Sequence, residues 1–208
     1  MSTSIFEVPA SKGGNYEVPP AGSHAAALVG LIDLGTHTDK FGDGEPFTAR
    51  RILLVWELLD EKTTDGNPHY IGRRFTLSVN EKSNLGKLIG GLRGKALAKD
   101  EGFDVRTILG KPCLLNVTHE KSTKGNDYAS VAGAGPLPKG MKAAKASVKP
   151  LQWSFDDGEP IPSESWIPWV HGQSLITVLQ ESAEWKGRNG QAAQTAPAAA
   201  QDGDEISF

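Results

Sequence analysis

The sequence predicts a mainly β protein: a small five-stranded barrel with one helix, followed by a short extension and an acidic tail. Apolar residues fill or alternate through five short segments, which is typical of strands. Between the third and fourth segments their spacing changes to three and four residues, which indicates a helix. The hydrophobic content of 38% is low for a chain of 208 residues, and it indicates that both ends lie outside the core.

The first three strands are predicted at residues 25–34, 47–59 and 69–79. The first is a continuous apolar run, and the second is apolar on both faces, as in buried strands. In the third, apolar and polar residues alternate, so one face is expected to point to the core. That face carries Ile71, Phe75, Leu77 and Val79, whereas Tyr70, Arg74, Thr76 and Ser78 are expected to point outward.

A helix is predicted after the third strand, with Ser83 as its cap. Its apolar residues are Leu85, Leu88, Ile89 and Leu92. A second helical turn is expected within residues 102–110. Strands four and five follow at 112–120 and 127–133, joined by a hairpin loop with Gly-Asn at its tip. The single cysteine, Cys113, is interpreted as a small core residue of the fourth strand.

Three strands, a helix and two strands follow one another as in the OB fold, a five-stranded barrel. We predict this barrel over residues 23–140, with an unrelated α+β sheet as the alternative because strand order does not fix closure. Residues 1–22 are expected to be a flexible arm, since they contain Gly13-Gly14 and three prolines. Residues 141–186 are interpreted as a linker and a Trp-rich extension that packs on the barrel, and residues 187–208 as a disordered tail.

The charges are distributed unevenly along the chain. Residues 23–149 hold 19 Lys and Arg against 14 Asp and Glu, a net charge of +5. Residues 150–208 hold two basic residues against nine acidic ones, a net charge of −7. A basic domain attracts a phosphate backbone, whereas an acidic tail repels nucleic acid and competes for the same groove.

Several classes of site are not indicated. The five histidines show no HxH or HExxH spacing, and one cysteine cannot build a zinc cluster, so no metal is predicted. The glycine-rich pieces lack GxxxxGK[ST], and no cofactor is predicted. No residues suggest catalysis, so the protein is not expected to be an enzyme. The apolar runs are shorter than a membrane span, and a cytoplasmic location is expected.

The predicted barrel carries basic and aromatic side chains, and a single nucleic-acid strand needs cations for its phosphates and rings for its bases. In an OB fold, strands two and three form the ligand face, flanked by the loops after strands one and four. The candidate DNA-binding residues are Arg50, Arg51, Trp56, Tyr70, Arg73, Arg74, Lys82, Lys87, Lys121, Lys124 and Tyr128. Adjacent arginines point to opposite faces, so at most one of each pair is expected in the groove, and Trp56 fits the core equally well.

The tail ends in an acidic tip with one terminal aromatic ring. Its candidate partner-binding residues are Asp202, Asp204, Glu205, Ile206 and Phe208. Residues 190–201 contain no large apolar residue and form a tether. Such a tip would fill a basic-rimmed apolar pocket on another protein. It resembles the tails of bacterial and phage single-stranded-DNA-binding proteins, although bacterial tails usually end in Pro-Phe and here Ser207 precedes Phe208. A tail that only aids solubility is the alternative.

Four stretches of the domain resemble small phage-encoded replication-module proteins. They are residues 75–83 (FTLSVNEKS), 84–94, 103–117 (ending LGKPCLLNV) and 128–140 (ending PLPKG). The similarity spans roughly residues 25–140. Together with the tail, it implies a phage protein that coats and protects single-stranded DNA during replication or recombination. The tail would then recruit a polymerase, helicase, primase or nuclease, and a homo-oligomer is compatible with this function.

Two other functions stay open at this point. The first is a replisome adaptor whose barrel binds protein, for which weak and salt-insensitive binding of single-stranded DNA would be the sign. The second is a small DNA-processing enzyme such as a nuclease, which would need a cluster of carboxylates or histidines that the predicted strands do not show.

Overall fold

Five long strands form the body of the computed structural model, which describes residues 17–40, 42–122, 125–158, 169–170 and 173–188. They are β1 (Gly22–Asp39), β2 (Phe47–Lys62), β3 (Pro68–Thr76), β4 (Pro112–Lys121) and β5 (Asp127–Gly135). Each overlaps a strand predicted from the sequence, and the mainly β class is confirmed. β1 and β2 extend further than the apolar runs because their ends carry polar residues that still pair.

The strands form one sheet in the order β3-β2-β1-β4-β5, and all neighbours in this order are antiparallel. β1 is long enough to pair with two strands along one side. Its first part, from Gly22 to Ala27, pairs with β4, and its middle, from Gly30 to Ile32, pairs in parallel with the short β6 (Leu151–Trp153). Backbone pairing in the described chain does not join β3 to β5, so the sheet is open.

The helix α1 (Asn84–Arg93) lies between β3 and β4, as predicted. The Ser83 hydroxyl accepts a hydrogen bond from the Gly86 amide at 2.9 Å, which confirms the cap. Gly91 lets the helix approach β5 closely, since a Cβ there would overlap the carbonyl oxygen of Ala134. A 3-10 turn at Val105–Ile108 is the second helical turn expected from the sequence.

Both faces of β1 and β2 are buried, which explains why strand two is apolar on both sides. One face packs beneath α1, where Trp56 is fully buried and belongs to the core instead of a DNA-binding surface. Cys113 lies in the same cluster, and burial raises the pKa of its thiol to about 12. The other face packs against the chain that follows β5.

The extension after β5 covers this second face of the sheet. It contains β6, a 3-10 turn (Phe155–Asp157), β7 (Trp169–Val170), β8 (Gln173–Ser174), α2 (Leu175–Gln180) and a helical turn at 183–188. Among its described residues, the buried apolar ones are Trp153, Phe155, Leu175, Val178 and Leu179, with Trp185 partly buried beside them. They contact Leu53 and Val55 of β2 and apolar residues of β1 in one cluster. This part of the chain therefore completes the core.

Two details differ from the sequence expectations. Leu77 is 47% exposed because β3 ends at Thr76, and the chain turns there through a hydrogen bond from the Ser78 amide to the Thr76 carbonyl. Residues 17–20, predicted as part of a loose arm, lie against the sheet. His119 Nε2 donates to the Pro19 carbonyl at 2.8 Å, and Glu17 accepts from the amide and hydroxyl of Thr64.

Because α2 completes the core, shortening one of its buried side chains should destabilise the whole domain. We expect Leu179→Ala to lower the free energy of unfolding by about 2–5 kcal/mol, since it removes buried methyl groups and leaves a cavity. Urea denaturation measures this change. The matched control is Leu77→Ala, on a half-exposed leucine, with an expected change of about 0.5 kcal/mol or less. Equal effects of the two substitutions would mean that the extension is only a linker.

Candidate nucleic-acid interface

The predicted ligand face on β2 and β3 is the face that the extension covers. Cross-strand pairing places Glu57 beside Tyr70 and Leu53 beside Arg74 on this face. Leu53 is buried under the extension. The Tyr70 hydroxyl lies 3.3 Å from the Ser147 hydroxyl, and burial raises the pKa of Tyr70. The middle of the face is therefore occupied by the protein's own chain, and Tyr70 is part of that contact.

Arg50 is engaged in an internal ion pair. Its Nε and Nη2 donate to the Asp33 carboxylate at 3.1 and 2.5 Å, and Nη2 also donates to Asp156 at 3.0 Å. The hydrogen bonds that it donates to Asp33 raise the pKa of Arg50. The Asp33 carboxylate also accepts from the amides of Gly35 and Phe155, so β1, β2 and the extension meet at this buried group. Arg50 thus stabilises the fold.

Arg73 joins the two outer strands of the sheet. Its guanidinium donates to the Val131 carbonyl of β5 and lies 5.2 Å from the centre of the Phe75 ring. The Arg73 side chain therefore connects β3 to β5, although backbone hydrogen bonds do not pair these two strands in the described residues. Arg73 is half-buried in this contact, where its side chain bridges the two strands.

Arg51 and Arg74 remain close together at the end of the covered face, beside an exposed ring. The Arg51 guanidinium lies 5.9 Å from the centre of the Phe47 ring, and Phe47 is 41% exposed. Burial and the neighbouring Arg74 charge lower the pKa of Arg51, and burial lowers the pKa of Arg74. We call these three residues the Phe47 cluster.

Only part of the hydrogen-bonding capacity of the Phe47 cluster is used. Arg51 pairs with Asp39 and donates to the Thr76 hydroxyl at 2.9 Å, but its buried Nε has no acceptor among the residues that the structure describes. The acidic group acting on Arg74 is Glu181, at the end of α2. Two adjacent cations beside an exposed aromatic ring can bind a phosphate and stack a base.

The remaining candidates lie apart from this cluster. Lys82 and Lys87 are exposed around the start of α1. On the β4–β5 hairpin, Lys121 lies 3.5 Å from Asp127, and the Tyr128 hydroxyl donates to Glu120 at 2.8 Å. That hydrogen bond lowers the pKa of Glu120 and raises the pKa of Tyr128. Lys124 and the tail residues Asp202, Asp204, Glu205, Ile206 and Phe208 lie outside the described residues.

Sequence reasoning missed Phe47, although a signal for it was present. Phe47 begins the second strand just before the Arg50-Arg51 pair. It is an aromatic residue at the end of the strand, and it lies outside the strand's apolar run. Phe47 is exposed because the extension does not cover it, and no local sequence pattern predicts how far the extension reaches.

Within residues 17–40, 42–122, 125–158, 169–170 and 173–188, no group of three His, Cys, Asp or Glu side chains is placed to hold a metal ion. None of the helices in those ranges has the length and apolar character needed to cross a membrane. Comparison with protein families, curated proteins and solved structures found no match to this chain.

The Asp33 carboxylate should be essential for stability because it is buried and joins three parts of the chain. We expect Asp33→Asn to lower the free energy of unfolding by about 2–3 kcal/mol, through loss of a hydrogen-bonded charge pair with Arg50. Asp156→Asn is the matched control, because Asp156 bonds the same arginine but its side chain is 75% exposed. Its expected effect in urea denaturation is about 0.5 kcal/mol. A larger loss for Asp156→Asn than for Asp33→Asn would contradict this ranking.

Proposed function

We propose that this protein binds single-stranded DNA without sequence preference, and that its sheet is an OB-type barrel. Two features support the barrel. The strand order β3-β2-β1-β4-β5, with a helix between β3 and β4, is that of an OB fold. β3 and β5 also lie next to each other at the Arg73 contact, where such a barrel would close.

The Phe47 cluster is the observation that carries the proposal. It lies on the face of β2 and β3 that serves as the ligand face in OB folds, at the end that the extension leaves open. Arg51 and Arg74 supply two cations for phosphates, and Phe47 supplies a ring on which a base of any sequence stacks. These are the two kinds of contact that bind single strands without reading their sequence.

The distribution of charge supports the same function. The domain carries the positive charge of the chain, and the tail carries most of the negative charge. In this proposal the tail binds a polymerase, helicase, primase or nuclease of replication or recombination through Phe208 and the acidic residues before it. The protein itself acts without catalysis, in the cytoplasm of a phage-infected host, and its resemblance to phage proteins supports that setting.

Substitutions in the Phe47 cluster should weaken the binding of single-stranded DNA. We expect Phe47→Ala or Arg74→Met to lower the affinity for a labelled 30-mer of oligo-dT by about tenfold, because each removes a stacking or phosphate contact. Fluorescence anisotropy measures the affinity, and binding should weaken steeply as salt is raised.

The controls for these two variants are Met141→Ala and Arg106→Met, which change exposed residues elsewhere. Wild-type protein should also prefer the single strand to matched duplex. No binding of oligo-dT at low salt would remove the proposed function. Equal losses in the control variants would move the binding site away from the Phe47 cluster.

Removing residues 202–208 should leave the affinity for oligo-dT unchanged or raise it, because an acidic segment that competes with phosphate is lost. The same anisotropy titration measures the change, with deletion of the uncharged residues 191–197 as the control for shortening the tail. A several-fold loss of affinity after removal of the acidic tip would show that the tip contributes to DNA binding.

A further inference from the structure

A pocket of about 360 Å³ lies between the end of β1 and the chain that follows α2. Its lining consists of Thr36, His37, Thr38, Glu181, Ala183 and Lys186. Pockets for small organic ligands span roughly 300–1,000 Å³, so this one lies at the small end of that range. Such a volume is large enough for one nucleobase.

The β1 side of the pocket is held in place by hydrogen bonds. The His37 ring donates to the Leu34 carbonyl at 2.9 Å, and the Thr38 hydroxyl lies 3.2 Å from that of Thr48. The Glu184 carboxylate accepts from both the amide and the hydroxyl of Thr36 at 2.6 Å. Burial alone would raise the pKa of Glu184, but the hydrogen bonds from Thr36 outweigh it and lower that pKa. The wall is therefore formed before any ligand binds.

Two side chains of opposite charge, Glu181 and Lys186, complete the lining. Glu181 can only accept hydrogen bonds when ionised, and Lys186 can only donate them. Both residues are exposed. A nucleobase with an exocyclic amino group presents a donor next to acceptors on its edge, as cytosine does with N4, N3 and O2. Carboxylates accept from cytosine N4, and lysine donates to base acceptors, in known nucleic-acid complexes.

The pocket adjoins the Phe47 cluster through two contacts. Thr38 precedes Asp39, which pairs with Phe47 across the β1–β2 hairpin and binds Arg51. Glu181, which lines the pocket, is also the acidic group that acts on Arg74. A strand whose phosphates lie on Arg51 and Arg74 would therefore pass the pocket, and one of its bases can enter.

We propose that this pocket binds one nucleobase that carries an exocyclic amino group, from a strand held at the Phe47 cluster. The inference rests on the proposed binding of single-stranded DNA, and it makes one base position an exception to the lack of sequence preference. Glu181 accepts from the amino group, and Lys186 donates to a ring nitrogen or carbonyl oxygen of the same base. Thymine, which has no amino group, fits this pair of side chains less well.

The test compares oligo-dC with oligo-dT of equal length, by anisotropy at one salt concentration. Wild-type protein should bind oligo-dC about fivefold more tightly than oligo-dT. In Glu181→Ala the ratio should fall to about one, while the affinity for oligo-dT is kept or rises because a negative charge is lost. Glu61→Ala is the matched control, since it removes an exposed carboxylate from the far end of β2 and should keep the ratio.

Each outcome separates the two proposals. Equal binding of both oligonucleotides by wild-type protein overturns the base pocket and leaves single-strand binding in place. A preference that survives Glu181→Ala, or that Glu61→Ala removes equally, also overturns the pocket. Failure of wild-type protein to bind either oligonucleotide overturns both the proposed function and the inference.

Discussion

The buried carboxylate of Asp33 is the constraint on which the rest of the structure depends. It lies on β1 just beyond the pairing with β6, and it accepts hydrogen bonds from Arg50 of β2 and from the Phe155 amide of the extension. An unpaired buried carboxylate is strongly destabilising, and here the Arg50 guanidinium and the Gly35 and Phe155 amides supply its hydrogen bonds. The Phe155 contact connects the extension to the sheet, where its apolar residues cover the outer face of β1 and β2.

This coverage determines where a ligand can bind. A bare five-stranded sheet would offer most of the outer face of β2 and β3, but here the middle of that face is filled by the extension and by the contact between Tyr70 and Ser147. Of the four arginines on these strands, Arg50 and Arg73 hold the fold together. Arg51 and Arg74 are left at the open end beside Phe47, and the acidic residues Asp39 and Glu181 lie next to them. The proposed DNA contact is therefore limited to one end of the sheet, with the polar pocket adjoining it.

Much of the fold could be predicted from the sequence because its signals are local. Apolar runs located β1 and β2, alternation located β3, the Ser83 cap and apolar spacing located α1, and the apolar surroundings of Cys113 indicated burial. The doubly apolar second strand indicated cover on both faces, and the tryptophans within residues 141–186 indicated that this segment packs on the sheet. Arg50 and Arg73 were misleading because their partners, Asp33 and Val131, are 17 and 58 residues away in the chain. Phe47 and Leu77 are exposed because neighbouring elements end close to them. Secondary-structure propensities do not determine the residue at which an element ends.

Hydrogen exchange with and without a saturating single-stranded oligonucleotide tests the central claim most directly, because it locates the contact without altering the protein. We expect slower exchange on DNA binding in peptides that cover the β1–β2 hairpin (residues 39–51) and the end of β3 (residues 74–79). Exchange around the β4–β5 hairpin (residues 118–130) should stay nearly unchanged. Protection confined to the β4–β5 hairpin, or no protection anywhere while DNA is bound, would contradict a binding site at Phe47, Arg51 and Arg74.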